Sequence, residues 1–183
     1  MDPEKRLAER CARGERLACK ELYDSFAGRL LALSARYVGS RDAAEDVLQD
    51  SFIKIFNSIG GFKYRGRGSL YAWLSRIVVN RSLDMLREQK RLGTVSIEQT
   101  RMDRDGDITE NEVDMIPEEV LAGMVEGLPE GYRTVFNMFA VDGYSHKEIG
   151  RMLGIKEKSS SSQYFRARAL LAERIKEYVR NNG

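Results

Sequence analysis

Asp142-Gly143-Tyr144-Ser145-His146-Lys147-Glu148-Ile149-Gly150-Arg151-Met152-Leu153-Gly154-Ile155 spells a turn, a capped helix and a glycine stop in one short stretch. Ser145 and Glu148 stand three residues apart, the spacing of a capping box in which each side chain satisfies a backbone N–H near the other. Ile149, Met152 and Leu153 make the apolar face of the helix. Gly154 is placed for a left-handed turn after the helix, and Ile155 for the buried residue that follows it. The polar Lys156-Glu157-Lys158-Ser159 leads into a last helix, Ser160-Ser161-Ser162-Gln163-Tyr164-Phe165-Arg166-Ala167-Arg168-Ala169-Leu170-Leu171. Upstream, Leu128-Pro129-Glu130-Gly131-Tyr132-Arg133 opens a helix that buries Val135, Phe136 and Phe139. Capped helix, glycine turn and basic helix in that order predict a helix-turn-helix whose second helix enters a major groove. The hydroxyls and amide of its first turn suit base edges, and Arg166 and Arg168 reach phosphate or guanine. A helical hairpin packed for stability alone is the competing reading. The four serines do not read as nucleophiles, because His146 sits in the first turn of the preceding helix and no base is evidently placed for them.

Toward the N-terminus the helical period continues. Leu22, Phe26, Leu30, Leu33 and Tyr37 form a single apolar stripe, ended by Gly39-Ser40. Asp42, with Glu45 three residues on, is predicted to cap the next helix. That helix carries Ala44, Val47, Leu48, Phe52, Ile55 and Phe56 on one face and Glu45, Asp46, Gln49 and Asp50 on the other, and Gly60-Gly61 stops it. The loop Phe62-Lys63-Tyr64-Arg65-Gly66-Arg67-Gly68 follows. A third long helix is then predicted from about Ser69 to Arg91, with Leu70, Trp73, Leu74, Ile77 and Val78 inward.

Aromatic and basic residues interleave around that loop. Phe62, Tyr64, Tyr71 and Trp73 alternate with Lys63, Arg65, Arg67 and Arg76, which suits stacking of unpaired bases along a cationic track. Trp73 also lies on the apolar stripe, where a core role is the stronger reading. Asn80, one turn beyond Arg76, offers a donor and an acceptor to the edge of an extruded base.

From Leu92 to Met115 the periodicity fails around Asp103-Arg104-Asp105-Gly106-Asp107, predicting a flexible acidic linker. Helical pattern resumes at Ile116-Pro117-Glu118-Glu119, where proline and acids favour a first turn. The chain is therefore expected to be all-α, with two small helical domains, 1–91 and 116–183, joined by a linker over 92–115.

The net charge is only +2, but Gly60 to Gly93 holds eight Lys/Arg against two Asp/Glu, and Ala140 to Gly183 nine against five. Between them, Thr94 to Glu130 holds two against eleven. Two basic blocks around an acidic one fit a polyanionic partner or ordinary surface charge. The 183 residues suit one or two small soluble domains. No apolar run is long enough to span a membrane and no secretory leader is evident, so a cytoplasmic protein without membrane insertion is expected. Cys11 and Cys19, placed in one predicted helix about 12 Å apart, are too distant for a mutual disulfide. With one histidine far away there is no metal-ligand spacing, no phosphate-cradling glycine motif and no catalytic triad, so no cofactor and no enzymatic activity are expected.

Three motifs in this order resemble the extracytoplasmic-function (ECF) sigma factors. Asp42-Ala43-Ala44-Glu45-Asp46-Val47-Leu48-Gln49-Asp50-Ser51-Phe52 is similar to their region 2.2. The stretch from Leu70 to Asp84 is similar to regions 2.3 and 2.4, and Tyr144 to Leu171 to the helix-turn-helix of region 4.2. The resemblance implies a subunit that binds RNA polymerase core and directs promoter-specific initiation. It implies that Glu45, Asp46, Gln49 and Asp50 dock on the arginine-rich clamp helices of the largest polymerase subunit. It places Asn80 and Arg76 in a pocket for a non-template base of the −10 element, with Phe62, Tyr64 and Arg65 in or beside its loop. It places Ser161, Ser162, Gln163, Phe165 and Arg166 at positions that read the −35 element. It also implies an anti-sigma protein as a partner. Lys158-Ser159 and Ser161 depart from a glycine-threonine pair and a basic residue common in the family, which leaves the −35 sequence preference open. The rivals to this reading are a stand-alone regulator binding duplex operators and an interaction protein with no role at DNA.

Overall fold

The computed structural model describes residues 2–92 and 116–182, and among them all regular structure is helical. The chain divides into two compact units, Met1–Val95 and Ser96–Gly183. Leu92 closes a helix, and the remainder of the linker expected over 92–115 lies outside the described residues. No helix among the described residues is long and apolar enough to cross a membrane.

The first unit holds α1 (Pro3–Ala12), α2 (Arg16–Val38), α3 (Arg41–Ser58), a 3₁₀ turn (Ile59–Gly61) and α4 (Ser69–Leu92). The stripe Leu22, Phe26, Leu30, Leu33 and Tyr37 is buried along its whole length, and α2 packs with it on α3 and α4. Ala44, Val47, Leu48, Phe52 and Ile55 meet it from α3, and Leu70, Leu74, Val78, Val79, Leu83 and Leu86 from α4. Burying a branched aliphatic side chain of this kind contributes about 1.5–3 kcal/mol. Ser34 is buried in the same core; its hydroxyl donates to the Leu31 carbonyl at 2.9 Å and lies 3.2 Å from the Ala44 carbonyl, tying α2 to α3.

The structure corrects several sequence expectations here. Ser40, not Asp42, caps α3, its hydroxyl accepting the Ala43 N–H at 3.2 Å, while Asp42 stands in the first turn. Glu45 turns to Arg41 instead of closing a box. The chain breaks at Arg13-Gly14, so Cys11 and Cys19 lie on two different helices. The fold of α1 back onto α2 makes the two cysteines neighbours, and burial, then Cys19, pushes the Cys11 thiol up to about 12. Spacing along a single helix was the wrong measure for this pair, because the left-handed Gly14 reverses the chain between them.

The second unit holds α5 (Glu118–Glu126), α6 (Glu130–Phe136), a π-helical turn (Asn137–Val141), α7 (His146–Leu153) and α8 (Glu157–Asn182). Leu128, Tyr132, Ala167 and Leu171 form a core, with Met124, Val125, Phe136 and Leu170 packed against it. The Arg174 guanidinium donates to the Met124 and Gly127 carbonyls at 2.6 and 2.9 Å, satisfying the open C-terminal end of α5. The π turn, closed by the Asp142 N–H on the Asn137 carbonyl, shifts the register by one residue. Met138 and Asn137 are buried as a result, while Phe136 and Phe139 are only half-buried.

Candidate nucleic-acid interface

The capped helix and its glycine stop form as expected, while Ile155, expected to be buried, is half-buried. Ser145 Oγ accepts the Glu148 N–H, and the Glu148 carboxylate accepts the Ser145 N–H at 2.9 Å, completing the box. Gly154 takes the left-handed conformation, φ 68°, and the Ile155 N–H reaches the Gly150 carbonyl at 3.0 Å. A Cβ on Gly150 would stand 2.9 Å from the Ile155 carbonyl oxygen, so the turn between α7 and α8 passes too closely for any side chain there.

The helix after this turn begins at Glu157, three residues earlier than the pattern suggested, and takes in the polar stretch. Indexed at about 100° per residue, Ser161, Phe165 and Arg168 lie together, with Ser162 and Arg166 beside them, on one arc of roughly 160°. All five are exposed, Phe165 by 64%. Ser160, Ala167 and Leu171 make the opposite, buried arc. Gln163 is half-buried at the flank, where its side-chain oxygen lies 3.5 Å from the position of a Cβ on Gly131.

Sequence reasoning kept His146 apart from the serines; the fold brings them together. His146 Nδ1 lies 2.9 Å from Ser160 Oγ, and the imidazole stacks on Phe139 at 4.1 Å and 4° with Tyr164 against its edge. Ser160 is fully buried and faces the core, so the contact clamps α7 to α8 and leaves the exposed arc to Ser161, Ser162, Phe165, Arg166 and Arg168. Tyr164, ringed by Phe136, Phe139 and His146, serves the same packing.

In the first unit, the loop after the 3₁₀ turn folds back on α4. The Phe62 ring lies 5.5 Å from Trp73, and the Arg65 N–H donates to Ser69 Oγ at 3.2 Å. Trp73, Arg76 and Asn80 share one face of α4 by their helical spacing, so the loop covers the start of the face that ends in Asn80. Arg65 and Arg76 are exposed, and Phe62, Tyr64 and Asn80 are half-buried. Tyr71 departs from the expected cluster. It packs toward α2, with the Arg29 guanidinium 3.8 Å over its ring and Phe26 at 6.2 Å. Burial, and then the nearby Asp2 carboxylate, raise the Tyr64 phenol above its ordinary value.

On α3, Glu45, Asp46, Gln49 and Asp50 occupy one surface. Asp50 accepts from Arg81 of α4 at 2.8 Å, Glu45 pairs with Arg41 at 2.9 Å, and Asp46 and Gln49 stand exposed between them. The bond to Asp50 raises the Arg81 guanidinium further, against the opposing effect of burial. Sequence reasoning missed what lies next to this surface. Ile53 is 62% exposed, and Phe56, expected inward, is 37% exposed on the same arc. Tyr23 extends the patch through Phe52, the rings 4.7 Å apart. The signal for Ile53 was its phase: it falls among the acids, not on the apolar stripe. Among the described residues no cluster of three His, Cys, Asp or Glu side chains is placed to hold a metal ion.

Comparison with known proteins places two family models on this chain, sigma-70 region 2 over residues 22–92 and sigma-70 region 4 over residues 118–171. A protein of Haemophilus influenzae described as ECF RNA polymerase sigma-E factor is 31% identical over 92% of this chain and 93% of its own length. Among solved structures, CnrH in complex with the cytosolic domain of CnrY matches with a TM-score of 0.54 and 26% identity, covering 96% of this chain and 99% of that one. The sigma factor RpoE of Bartonella quintana, in complex with the anti-sigma factor NepR, shares the fold with a TM-score of 0.55 at 21% identity, over 86% of this chain and 96% of that one.

Proposed function

The chain belongs to the sigma-70 family, in its ECF group, and from that premise we propose how its surfaces divide the work of a factor that binds RNA polymerase core and directs promoter-specific initiation. Residues 1–91 act as the region 2 domain, 92–115 as the linker and 116–183 as the region 4 domain. The exposed arc of α8 enters the major groove of the −35 element. Ser161, Ser162 and Gln163 meet base edges and Arg166 and Arg168 meet guanine or phosphate, while Phe165 makes apolar contact. The observation that carries this assignment is the division of α8 into a buried arc, clamped through Ser160 and Tyr164, and an exposed arc that ends in two arginines.

The loop and the face of α4 hold the unpaired −10 strand. Phe62, Tyr64 and Arg65 flank the extruded base, Arg76 neutralises phosphate and Asn80 reads the base edge. Core polymerase docks on α3. Asp46 and Gln49 are the open polar groups of that surface, Glu45 and Asp50 frame them, and Ile53 and Phe56 supply the apolar centre that a charged face alone lacks. Because both DNA contacts are carried by one holoenzyme, the second gains from effective concentration. Polymerase performs the chemistry and this chain none. It works in the cytoplasm, and an anti-sigma protein holds it inactive, the kind of partner seen with the RpoE neighbour.

Run-off transcription with purified core on a promoter library tests the whole reading. The wild-type chain is expected to confer start-site selection. Asn80→Ala is expected to lower open-complex formation roughly tenfold with core affinity unchanged, and Asp46→Lys to lower competition for core. Tight operator binding by the free protein, without start-site selection, would favour the stand-alone regulator.

A further inference from the structure

The N-terminal turn of the chain is bonded to the loop assigned above to the −10 strand. Asp2 caps α1, its carboxylate accepting the Glu4 N–H at 2.9 Å, with Pro3 opening the helix. The Tyr64 hydroxyl stands near the same carboxylate and favours its ionised form. Two residues on, Glu4 Oε2 accepts the Gly68 N–H at 2.9 Å. That N–H directly precedes α4 and has no partner within the helix. The first turn of α1 thus grips the loop at its end through Glu4 and places the Asp2 carboxylate near Tyr64 at its middle.

The loop has little stiffness of its own. Gly66 and Gly68 both take positive φ, 124° and 85°, and nothing lies within 4 Å of where their Cβ atoms would be. Its local ties are the Phe62 ring on Trp73, the Arg65 N–H on Ser69 Oγ and the Ser69 N–H on the Gly66 carbonyl at 3.1 Å. The α1 side, by contrast, is firmly seated. Leu7, Ala8 and Cys11 are buried, and α1 packs on α2, on the 3₁₀ turn and on α4. Lys63, Arg65 and Arg67 remain exposed around the grip, so the cationic track stays open to a strand. A reader of unpaired bases gains when its pocket is shaped before the strand arrives, since ordering a glycine loop on binding has an entropic cost.

We propose that Asp2 and Glu4 are positioning residues for promoter opening: they hold loop 62–68 in the shape that accepts an unpaired base, without touching DNA. The inference rests on the assignment of that loop to the −10 strand.

The test uses full-length chain reconstituted with core polymerase, on a promoter that this holoenzyme selects from a randomised library. Opening is read by 2-aminopurine fluorescence in the −10 segment. The Asp2→Ala/Glu4→Ala pair is expected to lower opening roughly three- to tenfold while core binding holds, the size of one or two net hydrogen bonds. Asp2→Asn/Glu4→Gln keeps an acceptor oxygen at both places and is expected to restore most of the loss. Glu4→Ala alone retains the Asp2 cap, so a loss there is not a loss of α1. Unchanged opening in the alanine pair overturns the proposal. So does faster opening in both the alanine and the amide pair, which would mean that the carboxylates compete with DNA phosphate. Asn80→Ala separates the two readings: if it leaves opening intact, the loop assignment itself fails, whereas a defect there beside a silent alanine pair removes only the role of the N-terminal turn.

Discussion

The two surfaces assigned to promoter DNA are built in opposite ways. The recognition surface on α8 is one face of a long helix; its side chains are ordered by the helix's own hydrogen bonds, and a few nearby contacts, Ser145 with Glu148 and His146 with Ser160, set its angle. The loop at 62–68 has two positive-φ glycines; Trp73 and Ser69 tie it locally, and a turn more than sixty residues earlier in the chain holds it from a distance. A duplex has a regular groove that a rigid helix can match. An unpaired strand has no fixed shape, and its reader combines a pliable backbone with external supports. Rigidity in the first surface is local, and in the second it is tertiary.

If that contrast holds, damage to the packing of the first unit harms its reader, whereas removing reader side chains in the second costs no stability. Leu74→Ala, at a fully buried site on α4, is expected to destabilise the first unit by about 2–5 kcal/mol in chemical denaturation. Promoter opening should suffer with it. Next in size, Arg166→Ala should weaken duplex binding by about 1–3 kcal/mol while stability stays within about 0.5 kcal/mol. A uniform loss across sequences with a shallower salt dependence would assign Arg166 to phosphate; a loss confined to one base position would assign it to guanine. Destabilisation by Arg166→Ala would break the contrast, because the residue would then be part of the packing.

The smallest effect concerns pH. Burial opposes ionisation of Asp2, but the Tyr64 hydroxyl, the Glu4 and Lys5 N–H groups and the Arg67 charge outweigh it and lower its pKa below 3.8. Its contribution is therefore present above 3.8 and fades as pH falls through the lowered value. Tyr64 is raised above 10.0, so its contribution is present below that value and fades as pH rises past the folded one. The Tyr64 ring resonances should stay flat from about pH 5 to 9. Midpoints at 3.8 for Asp2 and 10.0 for Tyr64, instead of below and above those values, would show that the two groups do not interact in solution.

Most of the helices were legible in the residues, because their signals span three or four positions. The stripe from Leu22 to Tyr37 predicted the buried face of α2, and Ser145 with Glu148 predicted the start of α7. The exposed arc of α8 follows from the same arithmetic. Errors arose where one local cue stood for several. Ser40 and Asp42 are both good caps, and only the backbone chose between them. Phe56 and Ile53 share a helix with the core stripe yet point out beside the acids, a placement decided by which neighbours α3 has.

The apolar stripe of α2, the capping box of α7, its glycine stop and the alternation of basic and acidic blocks were decided by the amino-acid order alone, since hydrogen bonds and side-chain contacts along one helix involve near neighbours. The grip of Glu4 on Gly68, the His146–Ser160 clamp, the meeting of Cys11 with Cys19 and the π turn that buries Met138 came only with the folded chain. Each joins groups whose separation is set by how whole helices pack, and packing depends on the summed shape of many side chains, which no short window of sequence contains.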